Sequence, residues 1–428
     1  MTASNSIDQE IRTNLRLNLV VNLLDGGFFG FALGFASFVT VIPLFVSSMT
    51  NSAILIGLIP AIHSVGWQLP QLFTAHRVSN QVRFKPMVMI MTIHERLPFL
   101  GLAIVAWFSP VLGTQTALFL TFLLLIWQGL GGGFTATAWQ SMIGKIIPHE
   151  YRGTFFGSQS AAANLLASLS AIIAGIILQR LASPQDFTLA FFCGFLAMVV
   201  SYIFLAQARE PARPIDNQDK PAVFWKGLGV ILQKDANFRW FLIARMLSQL
   251  AVTGFAFYTV YAVNSLGMSD FSVGVLTSVL LATQIIANPI MGLFGDRWSH
   301  RGMMIFGISA SILSALIAWK APTASWFFPV MVLAGISNVA IWTISLAMIQ
   351  EFGTANQRPA YIGLANTLIA PFTILAPFIG GIVANQYGYP AAFLISAVFG
   401  IITTMILIGQ VRDPKTLQTV KLELQTGE

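Results

Sequence analysis

Charge is what this sequence has least of. Of its 428 residues, 9% are Asp, Glu, Lys or Arg, whereas 56% are hydrophobic. A soluble globular domain carries roughly 25% charged residues, so the chain lacks the polar surface that would keep it in water. Its single cysteine, Cys193, excludes an internal disulfide framework and a cysteine-held metal site. There is no GxxxxGK[ST] loop to cradle ATP phosphates, and IHERLPF has Pro98 where an HExxH metalloprotease needs its second histidine. No nucleophile–base pattern stands out either, so neither an enzyme nor a bound metal or cofactor is expected. The N-terminus, MTASNSIDQEIRTNLRLN, is polar and has no small-residue cleavage site, so no cleaved signal peptide is expected.

What is present is a series of apolar runs of about 20 residues, each long enough for a bilayer core, in a chain of mean hydropathy +0.75. The runs predict twelve helices, at 17–45, 53–74, 86–108, 117–144, 153–180, 187–208, 238–264, 272–294, 302–320, 325–350, 359–385 and 390–411. The expected fold is therefore an all-α polytopic membrane protein. The polar, proline-bearing stretch 209–237 separates bundles at 1–208 and 238–411, and 412–428 forms a tail. Within the stretch, AVFWKGLGVILQKD (222–235) is expected as a short helix on the membrane surface. The termini and even-numbered loops hold 19 of the 23 Lys and Arg residues. The positive-inside rule then places both termini and the linker in the cytoplasm, with the chain in the cytoplasmic membrane. The net charge of +7 is thus a topology signal, and a nucleic-acid partner is not expected.

The halves repeat. PHEYRGTFFGSQSAAANLLASLSAIIAGIIL (148–178) aligns without gaps on TANQRPAYIGLANTLIAPFTILAPFIGGIVA (354–384), matching Arg152 with Arg358 and Gly157 with Gly363. Likewise PQLFTAHR (70–77) aligns on IMGLFGDR (290–297), so His76 stands where the second copy has Asp296. Two repeats of six spans imply two pseudo-symmetric bundles with a site between them. GLFGDRWSHRG (292–302) resembles the loop signature G-x-x-x-D-R-x-x-x-R-[GR] of the major facilitator superfamily, and PHEYRG and NQRPAYIG resemble its loops after spans four and ten. The resemblance covers nearly the whole chain. Three features depart from it: His76 in the first copy of the loop, Gln71-Leu72-Phe73 in place of that copy's leading glycine, and a span five without the Gly-Pro pair of the family's antiporters.

The resemblance implies a conformational latch. Asp296 would dock on the start of span five near Gly153 and Thr154, with Arg297, Arg301, Arg152 and Arg358 around the two loop copies. It also implies that spans one, four, seven and ten line a cavity. Their polar and aromatic stripes offer Asn22, Asp25 and Phe29; Gln128, Thr135 and Trp139; Arg245 and Gln249; and Asn338 and Trp342 as cavity candidates. Each of these could equally serve interhelical hydrogen bonding. Asp25 and Arg245 stand 220 residues apart, equivalent in the repeat, and are expected to face one another or a shared aqueous space. Intramembrane charges usually pair or face the bundle interior. Alternate pairing with arginine would switch a carboxylate's affinity for a proton, so Asp25 is the first proton-coupling candidate, with a static salt bridge as the alternative. His94, Glu95 and Arg96 stand in a row within span three. The ten Leu, Ile, Val and Phe residues of that span contribute roughly −3 to −6 kcal/mol, against roughly 5–7 for its charges. The trio is therefore expected to form a structural polar network. Glu95 and Arg96, 100° apart, are each expected to find a separate partner, His63 and Asp25 being the nearest candidates. A proton relay through Glu95 and His63 is the alternative.

The functional expectation is a secondary active transporter of a small solute, working by alternating access. Few charges and many aromatics in the cavity stripes favour proton-coupled efflux of a neutral or amphipathic compound. Sugar or metabolite uptake by symport is the alternative, and a non-transporting sensor or scaffold a third. The expected partners are a small-molecule substrate, protons and the lipid bilayer, without ATP.

Overall fold

The computed structural model describes residues 3–212 and 221–414. The expected linker between 213 and 220 and the tail from 415 lie outside the described residues. Helices and no strand occur among the described residues. Among the described residues, eleven helical stretches are long and apolar enough to cross a membrane, from Gln9–Phe35 to Tyr389–Gly409.

The twelfth expected span, the second, is divided into Ala53–Gln68 and Gln71–Ser79. Pro70 has no amide hydrogen to continue the ladder and stands as the cap of the second piece. Span one ends sooner than expected. It runs as Ala3–Phe35, followed by a separate helix, Val41–Ser47. The Ser37 hydroxyl accepts the amides of Val39 and Thr40, both at 3.2 Å, and turns the chain there. Span seven changes winding after Ala251 and passes through a tight turn of helix at Thr253–Phe257 before Tyr258–Asn264. The Gly254 amide released by that change donates to Ser396 Oγ at 2.6 Å. Span ten widens to a π-helical turn at Ala340–Ile344. Span eleven breaks between Arg358–Thr367 and Ala370–Tyr387, just before Pro371. The helix expected at 222–235 is present as Pro221–Lys234.

Contacts divide the chain into two units. One comprises Met1–Pro148, Ala162–Gln218 and Ala355–Thr367; the other comprises His149–Ala161, Asp219–Thr354 and Leu368–Glu428. The segments 149–161 and 355–367 are copies of one another in the repeat, so each half lends the start of one helix to the other unit.

Close packing explains the small residues of the first unit. Gly27, Gly30 and Gly34 of span one face Ala162, Ala163, Ala167 and Ser170 of span five, and a Cβ at Gly30 would overlap the Ala163 carbonyl. Lipid offers apolar surface as freely as a neighbouring helix does, so backbone approach at small residues is what favours association. Span four uses the run GLGGG (129–133) in the same way. A Cβ on Gly131 would stand 2.5 Å from the His94 carbonyl carbon of span three, and one on Gly129 2.9 Å from the Ile62 carbonyl of span two.

Candidate functional site

The charges of spans one and three meet inside the first unit. Arg96 Nη2 donates to Asp25 Oδ1 at 3.0 Å and lies 2.9 Å from Ser201 Oγ. The Ser201 hydroxyl itself donates to Asp25 Oδ1 at 2.6 Å. Arg96 Nη1 approaches Glu95 Oε2 at 3.8 Å, and its guanidinium lies 5.4 Å from the centre of the Phe29 ring. Asp25, Glu95 and Arg96 are all more than nine-tenths buried. Asp25 thus pairs with Arg96 in place of the expected Arg245, because spans one, three and six pack together and bring the guanidinium to it. Arg245 lies 2% exposed in the other unit, beside Ser248, whose hydroxyl donates to the Arg245 carbonyl.

Arg96 thus finds Asp25, one of the two partners expected for the Glu95–Arg96 pair, while Glu95 does not find a separate one in His63. The long guanidinium arm bends back to its neighbour, while Glu95 Oε1 rests against the bare backbone of Gly132, where a Cβ would stand 2.8 Å away. His63 is held by Gln128, Nδ1 to Oε1 at 3.0 Å, and stacks on Phe38 with ring centres 4.0 Å apart. The direct Glu95–His63 relay is therefore replaced by a His63–Gln128 pair. His94 leaves the trio altogether: it is exposed, and its Nδ1 accepts the Trp127 indole N–H at 3.3 Å.

Other cavity candidates lie apart from this cluster. Asn22 is fully buried and its amide donates to the Asn18 carbonyl at 2.8 Å, while Thr135 bonds back to Gly131. Trp139 is half-buried and Gln249 is 5% exposed. In the second unit, Asn338 and Trp342 line a small cavity of about 40 Å³ with Ser311, Ser314, Ser337, Phe255 and Tyr258. No residue lining it is charged. The volume accommodates one or a few waters, and the buried Ser337 hydroxyl has no hydrogen-bond partner among the described residues. The irregular turns of spans seven and ten both reach this cavity.

The loop signature builds a second charged cluster. Asp296 accepts the Gly153 amide at 2.7 Å through Oδ1 and the Thr154 amide at 2.5 Å through Oδ2. These N–H groups open span five and have no carbonyl partner within their own helix. Gly292, one turn before Asp296, explains the G-x-x-x-D spacing: a side chain there would overlap the Gly153 carbonyl, so only glycine lets the helix start come within reach. His300 bridges the carboxylates, with Nδ1 2.7 Å from Glu351 Oε1 and Nε2 3.4 Å from Asp296 Oδ1. Arg152 joins this group and donates to the Gln350 carbonyl at 3.3 Å. Arg301 instead donates to the Leu407 and Ile408 carbonyls at the end of span twelve, both at 2.8 Å, and Arg297 is exposed. In the first unit, Arg358 donates to the Gly144 carbonyl at 2.8 Å.

The first-half counterpart of the Asp296 contact uses no carboxylate. His76 is hydrogen-bonded with Asn80 at 3.3 Å. The start of span eleven is held by amides: Asn366 Nδ2 donates to Gln71 Oε1 at 2.7 Å and to Gln140 Oε1 at 3.3 Å. Thr367 Oγ1 adds bonds to the Gln68 and Leu69 carbonyls.

Sequence reasoning missed Ser201, His300, Glu351, Gln71, Gln140 and Asn366. Ser201 stands within the apolar run FLAMVVSYIFLA and was visible as an unexplained polar residue. His300 occupied an unspecified position of the loop signature, so the pattern gave it no role.

Residues 241–425 match the model of the Major Facilitator Superfamily. Multidrug resistance protein 1 of Bacillus subtilis is 28% identical over 152 residues, 36% of this chain and 39% of that protein. The vesicular acetylcholine transporter of Mus musculus is 24% identical over 159 residues, 37% of this chain and 30% of that protein. The matched segment thus spans well under half the length of these relatives. Among solved structures, the E. coli fucose:proton symporter FucP superposes with a TM-score of 0.73 at 13% identity, covering 92% of this chain and 98% of that one. A bacterial homologue of the iron transporter ferroportin, in an outward-facing state, gives 0.70 at 12% identity, covering 90% and 98%. At such identities the likeness is one of fold. Over residues 241–425 the chain is thus similar to the Major Facilitator Superfamily, and its fold is that of these solved transporters.

Proposed function

We propose that the chain is a proton-coupled secondary transporter of the cytoplasmic membrane that exports a neutral or amphipathic small molecule by alternating access. One observation carries the coupling: Asp25 and Glu95 share a single guanidinium, Arg96, in the interior of the first unit. Two buried carboxylates with one cation leave an uncompensated charge, and charge balance in a water-poor site calls for one proton on the set. Asp25 is the proton-carrying residue, taking the proton in the state where its contacts with Arg96 and Ser201 are exchanged for others. Glu95 is its reserve.

The few charges and many aromatics along spans one, four, seven and ten support a neutral substrate. The name of the Bacillus relative supports export of toxic compounds. The halves 1–208 and 238–411 are the moving arms, joined by 209–237, with both termini cytoplasmic. The Asp296 contact with the start of span five is the latch that holds one conformation.

The test is transport by purified protein in proteoliposomes, with radiolabelled amphipathic toxins and sugars, with and without an imposed pH gradient. Accumulation of a toxin that needs the gradient in the wild type, and is lost in Asp25→Asn, is the expected result. Full gradient-driven transport by Asp25→Asn removes the coupling role, and gradient-driven sugar accumulation alone replaces export by uptake.

A further inference from the structure

One feature of the first unit takes no part in the proposed transport cycle. A groove of about 490 Å³ runs along the outer side of span four, between span three and the helix Gln71–Ser79. Its walls are apolar and adaptable: Phe73, Met87, Met91, Leu130 and Phe134. Phe73 is 63% exposed and Phe134 38%, so the groove is open along its length. Gly131 forms the floor, leaving a slot where a side chain would otherwise stand. Span four turns Gln128 and Thr135 inward, both buried, and this face outward.

Two nitrogen groups break the apolar lining. Arg77 is exposed, and no acidic side chain lines the groove to neutralise it. His94 stands seven residues beyond Met87, about 10 Å along the helix at 1.5 Å per residue. Because the Trp127 N–H donates to His94 Nδ1, the neutral ring carries its hydrogen on Nε2. That N–H is a second donor, aimed away from Trp127 and fixed by it. A cation at one end, a single donor part-way along, and apolar walls between them match an amphipath with an anionic head and a long chain. On a face turned outward from a membrane-spanning bundle, the molecule of that chemistry at high concentration is a lipid, and basic pockets between spanning helices suit lipid phosphates.

We propose that this groove binds one anionic phospholipid, with its phosphate on Arg77, an ester carbonyl on His94 Nε2, and an acyl chain over Gly131. Thioether side chains such as Met87 and Met91 adapt to a chain of variable shape. The occupied groove covers a seam where spans three and four are in backbone contact, so the lipid braces the face opposite the buried Asp25–Arg96 pair.

Trp127 lines the groove and reports on it directly. The protein is reconstituted into phosphatidylcholine vesicles containing phosphatidylglycerol, with bromine on the chains of one lipid or the other. The fluorescence lost between wild type and Trp127→Phe isolates the Trp127 signal. At equal brominated fraction, phosphatidylglycerol should quench that signal about fivefold more effectively per molecule than phosphatidylcholine, the enrichment one basic residue gives. Arg77→Gln should abolish the preference, Arg77→Lys should retain most of it, and Arg83→Gln, outside the groove, should leave it intact. Equal quenching by both lipids would mean ordinary annular lipid and overturn the proposal. So would a preference that survives Arg77→Gln, or one lost equally in Arg83→Gln. Absence of quenching by either lipid would show the groove covered by protein, with the same consequence.

Discussion

The Arg96–Asp25 pair makes the sharpest energetic prediction. Replacing Arg96 by Met keeps much of the side-chain volume but strands Asp25, which is 5% exposed and keeps only Ser201 as a side-chain partner at 2.6 Å. Removing one member of a buried ion pair costs about 3–5 kcal/mol, because the survivor stays buried without its counter-charge. Asp25→Asn should be milder. Arg96 then keeps Ser201 at 2.9 Å and Glu95 at 3.8 Å, and the guanidinium is left with a carboxylate that had only half its attention before. The double variant Asp25→Asn/Arg96→Met removes both charges. It should recover part of the loss, since neutral replacement of the Asp25–Arg96 pair is often close to neutral while Glu95 stays buried without its guanidinium. The two substitutions should therefore be strongly non-additive, with a coupling of roughly 2–3 kcal/mol. Cys193, the only cysteine and half-buried in span six, supplies the assay. A dye that fluoresces on reacting with thiols follows its exposure as detergent-solubilised protein is heated. A double variant no more stable than Arg96→Met, or an Arg96→Met protein that unfolds at the wild-type temperature, would refute the reasoning.

Three further outcomes follow from particular contacts. Asp296→Asn keeps the shape but removes the charge from the amides of Gly153 and Thr154; at about 1–2 kcal/mol for a partly buried anion at a helix start, the ratio of inward- to outward-open molecules should shift about five- to thirtyfold, read by distance spectroscopy between spin labels, and an unchanged ratio removes the latch. Gly30→Val should collapse the yield of monodisperse protein, because its Cβ would overlap Ala163, whereas Gly57→Val, with nothing within 4 Å, should purify normally. Asn366→Leu leaves Gln71 and Gln140 without their shared amide donor and should cost about 1–3 kcal/mol in the same thiol-dye assay, while His76→Ala, outside that amide cluster, should cost under about 1 kcal/mol.

Hydrophobic runs revealed the spans because bilayer thickness imposes a length that composition alone can meet. They did not reveal the breaks. Ser37, Pro70, Gly254 and Pro371 interrupt helices through hydrogen-bond competition and missing amides, and a hydropathy average is blind to both. The charge cluster was legible in its members and partly in its pairing: Arg96 with Asp25 was among the expected contacts, beside Asp25 with Arg245. Repeat symmetry related Asp25 to Arg245, but symmetry relates equivalent places and gives no distance between them. The partner was Arg96, 71 residues away, because spans one and three both pack against span six. In IHERLPF, one step of 100° was enough to separate His94 from its neighbours. Glu95 and Arg96 turn inward, and His94 turns to Trp127 and the outer groove.

The repeat also hid a chemical difference that bears on the proposed cycle. The exchanged helix starts, 149–161 and 355–367, occupy equivalent positions, yet different forces hold them. In the second unit a carboxylate takes two helix-start amides, and His300, Glu351 and Arg152 complete a charged set. In the first unit Asn366, Gln71, Gln140 and Thr367 form a neutral one. A charge-assisted contact is about twice as strong as a neutral hydrogen bond, but its strength depends on the ionisation of every member. Neutral amides hold with less strength and with no dependence on protons. If both ties act as latches, the two exits from the cycle cannot respond alike to pH or to charge-neutralising substitutions. The Asp296 side holds its helix start through charged members and the Asn366 side through neutral amides, so substitutions that remove charge should loosen the first tie and leave the second unchanged.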